Sequence, residues 1–169
     1  MRETIIEEKV KVELKNPILI EGLPGLGMVG RIVTRFLIKC LGAKKMAELY
    51  SPHFPYYVLV SKRGNVRLLR GEFFYWKNEE GENDLILMTG DSQAQTIEGQ
   101  YEVADSILSF AQKHGVKTII TIGGFRREVE EDEKPRVIAV STSRDLLEKV
   151  LEAGAVASPS GSPIVGAAG

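Results

Sequence analysis

Three glycines near the amino end have the spacing of a dinucleotide-binding loop. Gly25, Gly27 and Gly30 form the pattern G-x-G-x-x-G after an apolar run and at the start of a helical pattern. In that motif backbone N–H groups approach a pyrophosphate, and a carboxylate about 20 residues further on binds a ribose, as Glu48 would here. Pro24 just ahead of the turn and the lack of a third strand–helix repeat disfavour this interpretation. The alternative is that the glycines permit a tight turn and close helix packing.

Segments that begin with glycine also follow two later strand patterns, at residues 90–95 and 123–126. The carboxyl ends of parallel strands meet at one edge of an open α/β sheet, where ligands usually bind. We therefore expect residues 22–30, 90–95 and 123–126 to line one crevice, where helix N-termini with Arg126 and Arg127 could hold an anion. Glycine turns that bind no ligand are the alternative. The candidate ligand-binding residues are Gly22, Gly25, Gly27, Gly30, Gly90, Asp91, Gly123, Gly124 and Arg126.

The residues that would support catalysis or metal binding lack the necessary spacing. The two histidines form no H-E-x-x-H pattern, and neither a G-x-S-x-G nucleophile elbow nor a Gly-Lys-Ser/Thr phosphate loop occurs. Asp91, Glu98 and Glu102 could share a helix start and hold a metal, but acidic residues there more often interact with the helix dipole. Cys40 is the only cysteine, which excludes intramolecular disulfides and cysteine-based zinc sites within one chain. The sequence therefore predicts no catalytic residue, no metal and no cofactor.

Composition and charge limit the kinds of partner. The 169 residues include 22 Lys and Arg against 23 Asp and Glu, so nucleic acid is not expected as a partner. No apolar run is long enough for a membrane span or a signal peptide, which together with the single cysteine predicts a cytoplasmic protein. Residues 128–133 contain five acidic side chains and form a candidate contact surface. Association into a homo-oligomer is expected from aromatic residues in strand and loop positions, namely Phe54, Tyr56, Phe73, Tyr75 and Trp76.

The hydrophobic patterning predicts an α/β fold. Apolar residues three and four apart indicate helices that begin near residues 29, 97 and 143 and end at Gly42, Gly115 and Gly154. Strands are expected over residues 10–14, 17–20, 56–60, 66–69, 73–76, 85–88, 116–122 and 137–140, whereas residues 45–49 match a strand poorly. Helices that alternate with apolar strands around an antiparallel meander imply a three-layer α/β/α sandwich with a mixed sheet. Residues 1–169 are interpreted as one such domain.

Four segments spread over nearly the whole chain can be compared with known families. They are GLPGLGMVG at residues 22–30, TGDSQAQ at 89–95, IITIGGF at 119–125, and SPSG through IVG at 158–166. Together they resemble the proteasome assembly chaperone family, in its archaeal branch. The resemblance implies a phosphorylase/hydrolase-like α/β/α sandwich that forms homo-oligomers, binds proteasome α subunits and promotes ring assembly without catalysis.

The resemblance also leads to an expectation about the carboxyl end. Relatives that engage the α ring often use an extended tail that ends in a hydrophobic residue, a tyrosine and one more residue, whereas this sequence ends Gly-Ala-Ala-Gly169. The chain is therefore expected to be truncated at that end. Some archaeal relatives were labelled ATP-grasp-like, but the lysines and metal-binding acids that the label needs are missing at the helix start. A nucleotide- or nucleoside-binding enzyme that uses the glycine-rich edge is the alternative function.

Overall fold

Contacts between residues divide the folded chain into two compact units. The computed structural model describes residues 1–126, 134–158 and 164–169. The first unit comprises Met1–Phe125 with Val165–Gly169, and the second comprises Arg126–Ile164. Within the described residues no helix is long and apolar enough to cross a membrane. That residues 1–169 form one domain stays a prediction.

Among the described residues, a six-stranded mixed sheet forms the centre of the first unit. The elements in chain order are β1 (Ile5–Glu8), β2 (Ile18–Glu21), α1 (Val29–Leu41), β3 (Lys44–Tyr50), β4 (Val58–Val60), β5 (Val66–Leu68), β6 (Gly71–Trp76), β7 (Leu85–Gly90), α2 (Ile97–Lys113) and β8 (Thr118–Thr121). The strand order is β1-β3-β6-β7-β2-β8, in which β7, β2 and β8 run parallel and the other neighbours are antiparallel. Strands β4 and β5 form a separate antiparallel hairpin. The predicted α/β fold with a mixed sheet is confirmed.

The helices α1 and α2 cover opposite faces of the sheet. Glu72 and Phe73 are consecutive residues of β6, so their side chains point to opposite faces. The ring of Phe110 in α2 lies 4.4 Å from the ring of Phe73, measured between centroids. A guanidinium nitrogen of Arg35 in α1 lies 3.8 Å from a carboxylate oxygen of Glu72. The predicted three-layer arrangement, with helices on both faces, is therefore confirmed.

The hydrophobic core lies between the sheet and α2. Its buried side chains alternate along the strands and recur along one side of the helix, as expected for a covered sheet face and an amphipathic helix. They include Leu19, Met46, Leu49, Phe73, Ile86, Met88, Val103, Ile107 and Phe110. The expectation that Phe73 is an exposed interface aromatic is wrong, because every second residue of β6 faces this core and Phe73 falls on that side. Phe54 and Tyr75 also pack against the core, whereas Tyr56 is fully exposed.

Local signals mark the helix boundaries in the first unit. Gly42 ends α1 with a φ of 63°, and Gly115 follows α2 with a φ of 76°, left-handed values that favour glycine. The hydroxyl of Thr96 accepts a hydrogen bond from the N–H of Gly99 at 3.0 Å and so caps the start of α2. The two glycine stops agree with the sequence prediction.

In the first unit, three strands differ clearly from the sequence prediction. β1 lies at Ile5–Glu8 instead of residues 10–14, because pairing with β3 selects one of two neighbouring alternating runs. β3 is a largely buried strand even though residues 45–49 match a strand poorly, because its charged side chains are held in ion pairs. β8 is shorter than predicted and partly exposed instead of buried, because it is the edge strand of the described sheet.

The second unit contains one described helix between two short strands. They are β9 (Ile138–Ala139), α3 (Arg144–Glu152) and β10 (Val156–Ala157), and the two strands pair in parallel. The hydroxyl of Ser143 accepts a hydrogen bond from the N–H of Leu146 at 3.4 Å. Ser143 is thus the predicted N-cap of α3, and Gly154 follows the helix with a φ of 102°.

Candidate functional site

The carboxyl ends of three parallel strands meet at one edge of the sheet. Glu21 at the end of β2 is level with Met88 in β7 and with Thr121 in β8. The N–H of Gly22 donates to the carbonyl oxygen of Met88 at 2.9 Å, and the hydroxyl of Thr89 donates to the carbonyl oxygen of Gly22 at 2.8 Å. The structure therefore brings together the loops that follow β2, β7 and β8, which we call the glycine edge.

Several glycines of the glycine edge are packed against neighbouring backbone. A side chain on Gly22 would overlap the carbonyl oxygen of Gly30 and the hydroxyl of Thr34. In the same way, a side chain on Gly30 would overlap the carbonyl oxygen of Ile122. These glycines therefore allow β2, α1 and β8 to approach one another, which is the packing role that the sequence offered as an alternative.

The remaining predicted glycines differ in how much space surrounds them. Gly27 has a φ of 62°, a turn conformation that favours glycine. A side chain on Gly124 would overlap the carbonyl oxygen of Leu26, and one on Gly90 would press on the Leu23 side chain. Among the described residues, only Gln93 lies within 4 Å of the position that a Cβ would take on Gly25, and nothing does for Gly123. Gly25 and Gly123, together with Gly27, whose only described neighbour is the Val29 side chain at 3.5 Å, are thus the predicted site glycines with space beside them for another molecule.

The carboxylate of Asp91 is occupied by groups of the same chain. It accepts hydrogen bonds from the guanidinium of Arg67, with Nη2–Oδ1 at 3.0 Å, and from the N–H of Arg70 at 3.2 Å. Arg31 in α1 contributes a further charge at 3.7 Å, and the Asp91 side chain is only 4% exposed. Burial opposes ionisation of Asp91, but the hydrogen bonds from Arg67 and Arg70 outweigh it and lower its pKa below the usual value. Asp91 therefore ties the β4–β5 hairpin and α1 to the glycine edge.

Glu21 is a titratable residue of the glycine edge that the sequence prediction missed. Its Oε1 accepts a hydrogen bond from the N–H of Leu23 at 2.8 Å, while its Oε2 is buried without a hydrogen-bond partner among the described residues. Burial raises the pKa of Glu21 to about 7, although the hydrogen bond from Leu23 acts in the opposite direction. The available signal was an acidic residue at the end of an apolar strand, directly before the first loop glycine.

Glu48 does not have the environment of a ribose-binding residue. β3 is antiparallel to its neighbours and separated from β2 by β6 and β7, whereas the dinucleotide fold needs an adjacent parallel strand. The Glu48 carboxylate binds the guanidinium of Arg70 at 2.8 Å and the ammonium of Lys45 at 3.0 Å. Glu72 joins the same two cations, so the four side chains form a network under α1. The structure therefore contradicts the dinucleotide interpretation.

The structure does not bring the other predicted residues into the glycine edge of the first unit. Arg126 is an exposed residue of the second unit, while Arg127 and the acidic run 128–133 lie outside the described residues. Glu102 binds the N–H of Thr4 and the ring of His53 instead of joining Asp91. Within the described ranges no group of three His, Cys, Asp or Glu side chains has an arrangement that could hold a metal.

The chain is therefore a three-layer α/β protein whose loops meet at the carboxyl ends of its parallel strands. Comparison with known proteins identifies its family. The model of the PAC2 family matches residues 19–169, so the chain belongs to the PAC2 family. The chain is similar to Pyrococcus furiosus PbaB, an archaeal proteasome activator, whose crystal structure matches with 42% sequence identity and a TM-score of 0.91. The match covers 100% of this chain and 73% of the PbaB chain. The crystal structure of Pyrococcus furiosus PbaA, an archaeal homolog of proteasome-assembly chaperone, matches with 25% sequence identity and a TM-score of 0.71. That match covers 97% of this chain and 66% of the PbaA chain.

A protein from Methanocaldococcus jannaschii is 35% identical over 167 residues. The match covers 98% of this chain and 63% of that protein, so the chain spans less than two thirds of that relative's length. The chain is thus homologous to proteins of the proteasome assembly chaperone and activator family. None of these relatives is described as an ATP-grasp protein, so the ATP-grasp-like label has no support.

Proposed function

We propose that this chain is a proteasome assembly chaperone-like protein that binds proteasome α subunits and promotes assembly of their ring without catalysis. The observation that carries the proposal is membership of the PAC2 family, since one relative of known structure, PbaA, is an archaeal homolog of proteasome-assembly chaperone and another, PbaB, is an archaeal proteasome activator. The glycine edge supports a scaffold role, because Gly22, Gly30 and Gly124 pack directly against the chain's own backbone and Asp91 is held by arginines. We place the protein in the cytoplasm, acting as a homo-oligomer.

An exposed apolar face on α1 offers a contact surface for the α subunits. Val29, Ile32 and Phe36 recur at helical spacing on the side that points away from the sheet, and Ile32 and Phe36 are 61% and 64% exposed. Apolar and aromatic side chains concentrate at the centres of protein interfaces. An exposed apolar face of this kind marks an interaction site, as a protein that works by contact requires.

The experiment compares capture of purified α subunits by the wild-type chain and by the double variant I32S/F36S. The variant should bind α subunits at least about tenfold more weakly, because it removes two exposed apolar side chains that the proposed interface would bury. The matched control is L108S, which removes an exposed apolar residue of α2 on the other side of the sheet. Equal binding by all three proteins excludes the α1 face, and no binding by the wild type contradicts the proposed function.

The second candidate function is a nucleotide- or nucleoside-binding enzyme. Glu21 favours it, because a buried carboxyl with a pKa of about 7 at the carboxyl ends of parallel strands has a property of general acids and bases. The open space at Gly25 and Gly123 lies at the same edge. Calorimetric titration with ATP, ADP, NAD and nucleosides separates the two functions, since micromolar binding with turnover supports the enzyme and its absence supports the contact protein.

A further inference from the structure

Helix α1 carries only positive charges. Arg31 and Arg35 are four residues apart and Lys39 follows in the last turn, whereas no acidic residue occurs between Val29 and Leu41. Residues four apart lie on the same side of a helix, so Arg31 and Arg35 are neighbours, and like charges in this arrangement repel each other. We call these two residues the arginine pair. The pair is most stable with negative charge beside it.

The carboxylates that face the arginine pair lie beyond hydrogen-bond distance. An oxygen of Asp91 is 3.7 Å from Arg31 Nη2, and an oxygen of Glu72 is 3.8 Å from Arg35 Nη2. Hydrogen bonds between nitrogen and oxygen are about 2.7–3.2 Å long. Neither guanidinium makes a hydrogen bond with any residue that the structure describes, although each has five N–H donors. The donors of the arginine pair are therefore available to another acceptor.

Other donors already occupy both of these carboxylates. Asp91 accepts hydrogen bonds from the guanidinium of Arg67 and from the N–H of Arg70. Glu72 binds Arg70 Nη2 at 3.1 Å and also the ammonium of Lys45. The arginine pair thus lies outside hydrogen bonds that are complete without it, and its charge is only partly neutralised.

The ion-pair network under α1 has more positive than negative charge. Among the described residues, five cations face three anions, which leaves an excess of two positive charges. The cations are Arg31, Arg35, Lys45, Arg67 and Arg70, and the anions are Glu48, Glu72 and Asp91. Lys9 joins the network at Glu48 together with its own partner Glu7, and this pair leaves the excess unchanged. Because the whole chain has a net charge of −1, the excess is local and attracts an anion to this surface.

An anion can reach the arginine pair from solvent. The side chains of Arg31, Arg35 and Arg67 are 23%, 51% and 37% exposed. Arg31 and Arg67 both lie against Asp91 Oδ1, so their guanidiniums are side by side. Arg31 is also in the first turn of α1, at the positive end of the helix dipole. A guanidinium donates two parallel hydrogen bonds to a phosphoryl group, which makes arginine well suited to bind phosphate.

We propose that the arginine pair and Arg67 bind a phosphoryl anion with two or more negative charges, where α1 meets the β4–β5 hairpin. A dianion balances the local excess of two positive charges and has enough oxygens to accept hydrogen bonds from more than one guanidinium. The sequence suggested an anion held by Arg126 and Arg127, whereas this site uses arginines of the first unit. The inference goes beyond the proposed function, because anion binding is measured without any proteasome subunit.

Calorimetric titration with pyrophosphate, ATP and adenosine tests the site. The wild type should bind pyrophosphate, should bind ATP at least as tightly, and should not bind adenosine. Equal affinities for pyrophosphate and ATP would show that the phosphates alone are recognised, and a higher affinity for ATP would add a contact to its nucleoside. R31Q/R35Q should bind pyrophosphate at least about tenfold more weakly, because it removes two charged donors. R31K/R35K keeps the charge without the paired N–H groups and should have an intermediate affinity.

The matched control is R144Q, which removes an exposed arginine of α3 and should bind pyrophosphate like the wild type. Pyrophosphate should also raise the midpoint of thermal unfolding of the wild type but not of R31Q/R35Q. If circular dichroism shows that R31Q/R35Q is unfolded, the single variant R35Q, at the half-exposed arginine, decides in the same way. The proposal is wrong if the wild type does not bind pyrophosphate, if the folded arginine variants bind it as tightly as the wild type, or if R144Q weakens binding equally. Binding of adenosine without pyrophosphate would also contradict it, and would favour the nucleoside-binding function instead.

Discussion

Gly30, in the first turn of α1, lies against the carbonyl oxygen of Ile122, just after β8, so closely that a methyl group on Gly30 would overlap that oxygen. The contact joins the segment after β2 with the segment after β8, which are the two parts of the glycine edge furthest apart in sequence. The third glycine of the G-x-G-x-x-G pattern therefore acts in this protein through helix–strand packing.

The first prediction concerns this contact. An alanine in a helix normally stabilises by about 1 kcal/mol relative to glycine, but G30A should destabilise by about 2 kcal/mol, because the backbone of Ile122 cannot move aside. Urea denaturation measures the free energy of unfolding. G123A is the control and should change it by less than about 0.5 kcal/mol, since no described atom lies within 4 Å of the added methyl group. A stabilised G30A would contradict the packing role.

The second prediction concerns the pH dependence that Glu21 confers. Its pKa is about 4.5 in the unfolded chain and about 7 in the folded protein, so the folded state binds the proton more tightly. The stability that it contributes is complete below pH 4.5 and is lost as the pH rises through 7. E21Q keeps a carbonyl oxygen for the N–H of Leu23 and removes this loss.

The unfolding free energy of E21Q should therefore rise relative to the wild type between these two pH values, by on the order of 3 kcal/mol in total. Denaturation curves at a series of pH values measure the difference. E13Q changes an exposed carboxylate and is the matched control. A constant difference between E21Q and the wild type would show that Glu21 titrates normally.

The third prediction concerns Asp91 and its arginines. D91N leaves Arg67 without its carboxylate partner, and should destabilise by about 3 kcal/mol at neutral pH. Because the pKa of Asp91 is lowered in the folded protein, its contribution is present above the usual value of 3.8 and is lost as the pH falls through the folded value. The difference in unfolding free energy between D91N and the wild type, measured by urea denaturation at a series of pH values, should become smaller in acid. D105N is the matched control. A gap that does not change with pH would exclude the ionised carboxylate as its cause.

The fourth prediction compares Phe73 with Tyr56, both of which the sequence analysis names as aromatic residues expected at an interface. F73A should destabilise by about 3–5 kcal/mol, because Phe73 is completely buried and packs on Phe110. Y56A should change stability by less than about 0.5 kcal/mol, because Tyr56 is fully exposed. Thermal unfolding of both variants measures the contrast. Similar losses in the two variants would contradict the core assignment.

Sequence patterns predict the elements of this fold that are fixed locally. Apolar spacing and the stops at Gly42 and Gly115 define α1 and α2. β3 is different, since Lys45 and Glu48 interrupt its apolar pattern and become compatible with burial only through Glu72 and Arg70, which come from β6 and the residue before it. Sequence periodicity contains no information about such pairing between distant residues.

The same distinction applies to the glycine edge. The rule for parallel strands predicts that the loops after β2, β7 and β8 meet at one edge. It cannot predict that Gly30 touches the carbonyl of Ile122, because that depends on the distance between a helix and a strand. It also cannot predict the pKa of Glu21, which depends on how completely the fold excludes water from its carboxyl group and on the opposing hydrogen bond from the N–H of Leu23.

The most direct measurement of the central claim is native mass spectrometry of purified proteasome α subunits mixed with this chain and, in parallel, with a carboxyl-extended form. The account predicts complexes that contain both proteins, and faster formation of α rings in proportion to the chain added, with no nucleotide required. A tail that docks on the ring would make the extended form bind more tightly. If neither form gives a complex or speeds ring formation at any ionic strength, the assembly function is wrong.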